Sequence, residues 1–79
     1  MGRFTKRLGQ IETEIGKLAG TVDATKQGDR KAIDAAAIEI NRIRLEILKR
    51  TIEYDETEAA NAMRLRGVLN NIEASLKQK

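Results

Sequence analysis

The sequence feature that most constrains the fold is a segment with two separate apolar faces. Between residues 33 and 54, aliphatic side chains recur at helical spacing in two sets. The first stripe consists of Ile33, Ala36, Ile40, Ile43, Ile47 and Tyr54. The second stripe consists of Ile38, Leu45, Leu48 and Ile52. At about 100° per residue the stripes point roughly 150° apart on one helix, so each needs its own covering.

The composition limits what else can stabilise the chain or carry out chemistry. Seventy-nine residues make one small domain, which buries only a modest core. The sequence has no Cys for disulfides and no His, which removes the commonest metal ligand and general base. Its only Ser is Ser75. We therefore expect no enzymatic activity, no metal and no cofactor, and we expect stability to come from helix packing and self-association.

The apolar residues are too dispersed to indicate membrane insertion. No stretch approaches the ~18 consecutive apolar residues of a transmembrane helix. The first residues contain basic side chains but no apolar run after them, unlike a secretory signal. Together with the absence of Cys, this pattern predicts a cytoplasmic protein without a transmembrane segment.

Residue preferences and spacing predict an all-α fold for a single domain spanning 1–79. There is no Pro, and Ala, Ile, Leu, Glu, Lys and Arg are abundant. We expect helices at about 3–19 or 3–26, 29–54 and 56–77. The first helix is uncertain because Gly20 favours an early end, whereas Val22 continues the apolar spacing. The first and third helices carry apolar seams spaced alternately by three and four residues: Phe4, Leu8, Ile11, Ile15 and Leu18, and Ala62, Leu65, Leu69, Ile72 and Leu76.

Local signals support both helix boundaries. Gly28 followed by Asp29 suits a left-handed residue and then a helix N-cap. Asp55 with Glu58 three residues later resembles a capping box. No Gly or Pro ends the preceding helix, so the alternative is one continuous helix of some 50 residues that does not bend near 54–57.

The predicted architecture is an antiparallel helical hairpin or three-helix bundle with coiled-coil-like packing. We expect the seams of the first and third helices to take one stripe of the second helix each. Stripes so far apart are not expected to converge on one compact core. Part of the second stripe (Ile38, Leu45, Leu48 and Ile52), together with Arg44, is therefore predicted to form an oligomer or partner interface.

Charged residues offer a second kind of candidate site. The net charge is +3, and the basic residues considered for contact with anions or nucleic acid are Arg3, Lys6, Arg7, Arg64 and Arg66. Arg44 and Arg66 lie beside apolar positions. Their guanidinium groups could grip a carboxylate or bound anion, or their stems could cover apolar surface while their heads reach water.

Three functions are compatible with these patterns. The first is a non-enzymatic helical interaction protein, an adaptor, inhibitor or regulator, that docks helix faces on another protein and on itself. The second is a basic helical bundle that binds nucleic acid, although one Phe, one Tyr and no Trp leave little for base stacking. The third is an oligomer that binds a small anionic ligand between protomers, with Arg44 or Arg66 in the cleft.

Overall fold

The computed structural model describes residues 2–79 and confirms an all-helical fold of three helices packed against one another. The helices are α1 (Thr5–Ala24), α2 (Arg30–Lys49) and α3 (Glu56–Lys77), with a 3₁₀ turn at Thr51–Glu53. Each helix is about 30 Å long at 1.5 Å per residue, and the molecule measures 43 × 18 × 15 Å. α2 is antiparallel to both neighbours, and α1 and α3 run in the same direction.

A single apolar core lies between the helices. It combines the seams of α1 and α3 with the first stripe of α2. The most enclosed side chains, Ile40 and Leu69, are fully inaccessible to solvent. The expectation that α1 and α3 would cover different stripes is therefore wrong. Both helices pack against the first stripe, since an apolar face about 100° wide can contact two neighbouring helices at once.

α1 ends later than the earlier of its two predicted boundaries. Gly20 lies inside the helix, which continues to Ala24 because Val22 is buried in the core. The hydroxyl of Thr25 then donates to the carbonyl of Thr21 at 2.8 Å. In the short loop that follows, Gly28 has a φ of +83°, a conformation that favours glycine.

α2 begins as expected but ends earlier than residue 54. The Asp29 carboxylate accepts a hydrogen bond from the Ala32 amide at 3.3 Å, so Asp29 is the N-cap. At the other end, the hydroxyls of Thr51 and Tyr54 donate to the carbonyls of Leu48 and Ile47, each at 2.8 Å. These side chains satisfy the free carbonyls of the last turn, so the helix ends at Lys49 without Gly or Pro.

The start of α3 is fixed by a capping box that also holds the start of α1. Asp55 and Glu58 exchange hydrogen bonds between side chain and backbone at 2.8 and 3.0 Å. The buried Glu58 carboxylate also accepts from the Phe4 amide. A Cβ at Gly2 would collide with the carboxylates of Glu58 and Asp55, so a larger residue there would have to displace these capping side chains.

We predict opposite effects for two Gly→Ala substitutions. Gly20→Ala should raise the unfolding free energy by about 0.5–1 kcal/mol, because Gly20 is helical and a methyl group there meets open space. Gly28→Ala should lower it by about 1 kcal/mol, because the positive φ strains an alanine. Urea denaturation monitored by circular dichroism measures both changes, and stabilisation by Gly28→Ala would contradict the loop geometry.

Candidate interaction surface

The second stripe lies on the surface of the folded chain. Ile38 is 69% exposed, Leu45 62%, Leu48 39% and Ile52 96%. The first three project from α2, and Ile52 follows in the 3₁₀ turn. All four large aliphatic side chains of the second stripe are therefore exposed to solvent, Leu48 the least.

Met63 is a further exposed apolar side chain and lies on α3. Its side chain is 70% exposed. Met63, Arg66 and Thr51 all border a small pocket of about 210 Å³ between the end of α2 and the first half of α3. We call the surface formed by the second stripe and Met63 the outer face. Neither Met63 nor Val68, which is 36% exposed on the other side of α3, belongs to the core.

Arg44 borders the outer face and is bound within the chain. Its two terminal nitrogens donate to the two carboxylate oxygens of Glu73 on α3, at 3.1 and 3.0 Å. The same guanidinium donates to the side-chain oxygens of Asn70 and Asn41. These hydrogen bonds raise the pKa of Arg44 and lower the pKa of Glu73. Arg44 therefore grips a carboxylate, as one sequence interpretation held, but that carboxylate belongs to its own α3.

A second group of ion pairs joins α1 to α2 on the opposite side. Arg7 donates to both carboxylate oxygens of Glu46, at 2.5 and 2.7 Å. Arg42 donates to Glu14 at 3.1 Å and also to Glu39. Hydrogen bonding from Arg7 lowers the pKa of Glu46, and hydrogen bonding from Arg42 lowers that of Glu39. These ion pairs therefore link α1 to α2.

The other predicted anion contacts do not form one cluster. Arg64 on α3 donates to Glu12 on α1 at 3.0 Å. Arg3 lies 3.9 Å from Glu53, with its guanidinium 5.6 Å from the centre of the Phe4 ring. Within residues 2–79, neither Lys6 nor Arg66 makes an ion pair with a carboxylate. The five basic residues are thus distributed over different helices, and three of them are held by glutamates.

A groove lies between α1 and α2, away from the outer face. Its volume is about 480 Å³, and Leu18, Ala32, Ala35 and Ala36 contribute apolar lining. It exists because the first half of α2 is rich in alanine, which leaves space between the helix backbones. Glu14, Glu39 and Lys17 also line the groove. This predominantly acidic rim does not suit an anion, and neither Arg44 nor Arg66 contributes to it.

Sequence reasoning missed the ion pairs that join the helices. Glu46, for example, binds Arg7, which lies 39 residues away in sequence. Arg50, four residues after Glu46, places its guanidinium 5.4 Å from the centre of the Phe4 ring. No local spacing signals the partner of Glu46, because that partner depends on how α1 aligns with α2.

The described part of the chain shows neither a metal-binding cluster nor a membrane-spanning helix. Residues 2–79 contain no group of three or more potential metal-binding side chains. No helix there combines the length and apolarity required to cross a membrane. Comparisons with models of protein families, with curated proteins and with solved structures each found no match for this chain. The outer face is therefore the candidate functional site, and it is inferred from the structure alone.

We predict that the outer face contributes little to folding. In dilute solution, Leu45→Gln and Ile52→Gln should each change the unfolding free energy by no more than about 0.5 kcal/mol, because both side chains are exposed. Ile40→Ala should cost about 2–5 kcal/mol, because it opens a cavity in the core. Denaturant titration at low micromolar protein concentration tests this, and a loss above 2 kcal/mol in Leu45→Gln would show that the stripe stabilises the monomer.

We also predict a loss of stability in acid. Glu46 and Glu73 titrate near pH 4.5 when unfolded, and arginine hydrogen bonds hold their pKa values lower in the fold. Their contribution is therefore complete above about pH 4.5 and disappears as the pH falls through the folded pKa values. Denaturation between pH 7 and 2.5 measures the decline, which should be shallower in Glu46→Gln/Glu73→Gln. Glu56→Gln, at the start of α3, is the control, and an unchanged acid limb in the double variant would contradict the assignment.

Proposed function

We propose that this protein is a small non-enzymatic interaction protein, an adaptor, inhibitor or regulator, that docks the outer face onto helical surfaces. The observation that supports this proposal is the exposure of Ile38 and Leu45 on a helix whose other face completes the core, with Ile52 exposed in the turn that follows. Because these side chains lie outside the core, we expect folding not to require that they be aliphatic. Exposed apolar side chains grouped on one face of a helix are a typical feature of protein interfaces.

The spacing of the second stripe indicates what sort of partner fits. Ile38, Leu45 and Leu48 on α2 are separated by seven and three residues, the spacing of a seam that packs against another helix, and Ile52 follows in the 3₁₀ turn. Met63 adds a flexible apolar side chain, which adapts readily to different partner shapes. A helix lying along α2 is therefore the partner that this face accommodates best. A cytoplasmic location remains a prediction from the sequence.

The charges give weaker support to the two alternative functions. Arg7 and Arg64 already bind Glu46 and Glu12, so phosphate groups would have to compete with these glutamates. Arg44 likewise donates to Glu73, which neutralises the cation proposed to hold a small anion. Lys6 and Arg66 remain available, but they lie on different helices. We therefore rank protein binding above nucleic-acid or anion binding.

An affinity-capture experiment with matched variants tests the proposed function. The immobilised wild-type protein is incubated with extract of its native host before and after nuclease treatment, and retained proteins are quantified by mass spectrometry. We expect a specific partner to resist nuclease and to be lost with Leu45→Lys/Ile52→Lys. Each lysine places a charge where apolar contact is expected, which should weaken binding more than about tenfold.

The control for this experiment is Val68→Lys, which introduces the same charge at an exposed position of α3 outside the outer face. It should retain the partner as the wild type does. The retained protein, once purified, must also bind the wild type directly in calorimetry and fail to bind the double variant. Equal retention by all three proteins, or retention that nuclease abolishes, would contradict docking through the outer face.

A further inference from the structure

We propose that a second copy of this chain covers the outer face, with the two α2 helices antiparallel across a two-fold axis. This inference rests on the proposed function and names its first partner. The row of α2 residues that faces the second copy is longer than the apolar stripe within it. Asp34, Ile38, Asn41, Leu45 and Leu48 follow one another at intervals of four, three, four and three residues. This is the alternation by which two helices pack along each other over several turns.

The exposed area is close to what a stable dimer requires. Ile38, Leu45, Leu48, Ile52 and Met63 together expose the equivalent of more than three whole side chains. Covering them removes on the order of 600 Å² per protomer from water, compared with about 800 Å² per partner in a standard interface. Polar residues along the edges of the two paired α2 helices supply the rest of the buried area. A two-fold arrangement uses the same patch on both copies, so each outer face is covered by its equivalent.

The charges along the seam select the antiparallel orientation. Asp34 lies near the start of the seam and Lys49 near its end, and both are exposed. They are equally distant from the peptide bond between residues 41 and 42, as are Ile38 and Leu45. An antiparallel pair centred there places Asp34 opposite Lys49 of the second copy, and Ile38 opposite Leu45. A parallel pair would instead place Asp34 against Asp34 and Lys49 against Lys49, which like-charge repulsion disfavours.

Side chains near the proposed axis do not oppose this approach. Arg42 is the cation nearest the axis, and it already binds Glu14 and Glu39 on the side facing α1. Arg44 is neutralised by Glu73. Asn41 lies at the centre of this row between Ile38 and Leu45, where a polar amide flanked by apolar side chains can define the register of two helices. The axis therefore passes through a region whose charges are balanced within each copy.

The oligomeric state gives the first test. Analytical ultracentrifugation across micromolar concentrations should show a reversible dimer for the wild type and for Val68→Lys. Leu45→Lys should weaken dimerisation more than about tenfold while keeping the helical circular dichroism spectrum, because Leu45 is exposed in the folded chain. A protein concentration of about 100 μM is roughly ten times the dissociation constant of a useful dimer. A wild-type chain that is folded and still monomeric at that concentration would overturn the proposal.

Disulfide trapping tests the orientation, since the chain has no Cys of its own. Asp34→Cys and Lys49→Cys are prepared separately, then oxidised alone and as an equimolar mixture. The antiparallel dimer predicts a heterodimeric cross-link in the mixture and little cross-linking of either variant alone. Efficient cross-linking of each variant with itself, and none between them, would show a parallel pair and overturn the proposed arrangement.

These results separate the dimer from the broader function. If the wild type is monomeric but Leu45→Lys/Ile52→Lys still loses a purified partner, self-association is wrong and docking through the outer face holds. If the dimer forms and its cross-links are antiparallel, while the same double variant retains every captured partner, the dimer is right and the face does not bind other proteins.

Discussion

The structure depends on the burial of one apolar stripe of α2 by two helices at once. Ile40 and Ile43 lie where α1 and α3 both approach, so neighbours from both helices surround the same short row of side chains. A chain without disulfides and of this size has few other sources of stability. Because a single stripe serves both neighbours, the core is complete within one copy, and nothing in the bundle draws the second stripe inward. Leu45 and Ile52 are thus exposed because α1 and α3 both pack against the first stripe, which leaves neither helix to cover the second.

Arginine–glutamate pairs then define how the three helices align. Arg7 and Glu46 join α1 to α2, Arg44 and Glu73 join α2 to α3, and Arg64 and Glu12 join α1 to α3. Aliphatic side chains with a repeating spacing would tolerate a shift of one heptad along the bundle. Two-pronged hydrogen bonds from Arg7 and Arg44 depend on particular partners and oppose such a shift. The charged residues therefore contribute more to the specificity of the fold than to its total stability.

The features predicted from the sequence are those governed by residues close together along the chain. The Asp55–Glu58 capping box and the Asp29 N-cap involve atoms within one helical turn, and their residue types alone indicate the hydrogen bonds. The end of α2 was misplaced because the Tyr54 hydroxyl returns to the carbonyl of Ile47 only once the chain has turned. The partner of Glu46 depends on the alignment of two helices, which local spacing does not encode.

The same distinction explains why the candidate site was predicted in part. Helical spacing alone identified the second stripe, but whether α3 would cover it depended on the width of the first stripe and on the angle at which α3 approaches. Arg44 and Glu73 now show that α3 lies beside the second stripe and not over it. Aliphatic side chains held there by a completed bundle lose no core contacts when a partner covers them, and they are already ordered on a rigid helix. Association through the outer face therefore requires no rearrangement of the fold, and the apolar area it removes from water remains available to offset the entropy lost when two chains combine.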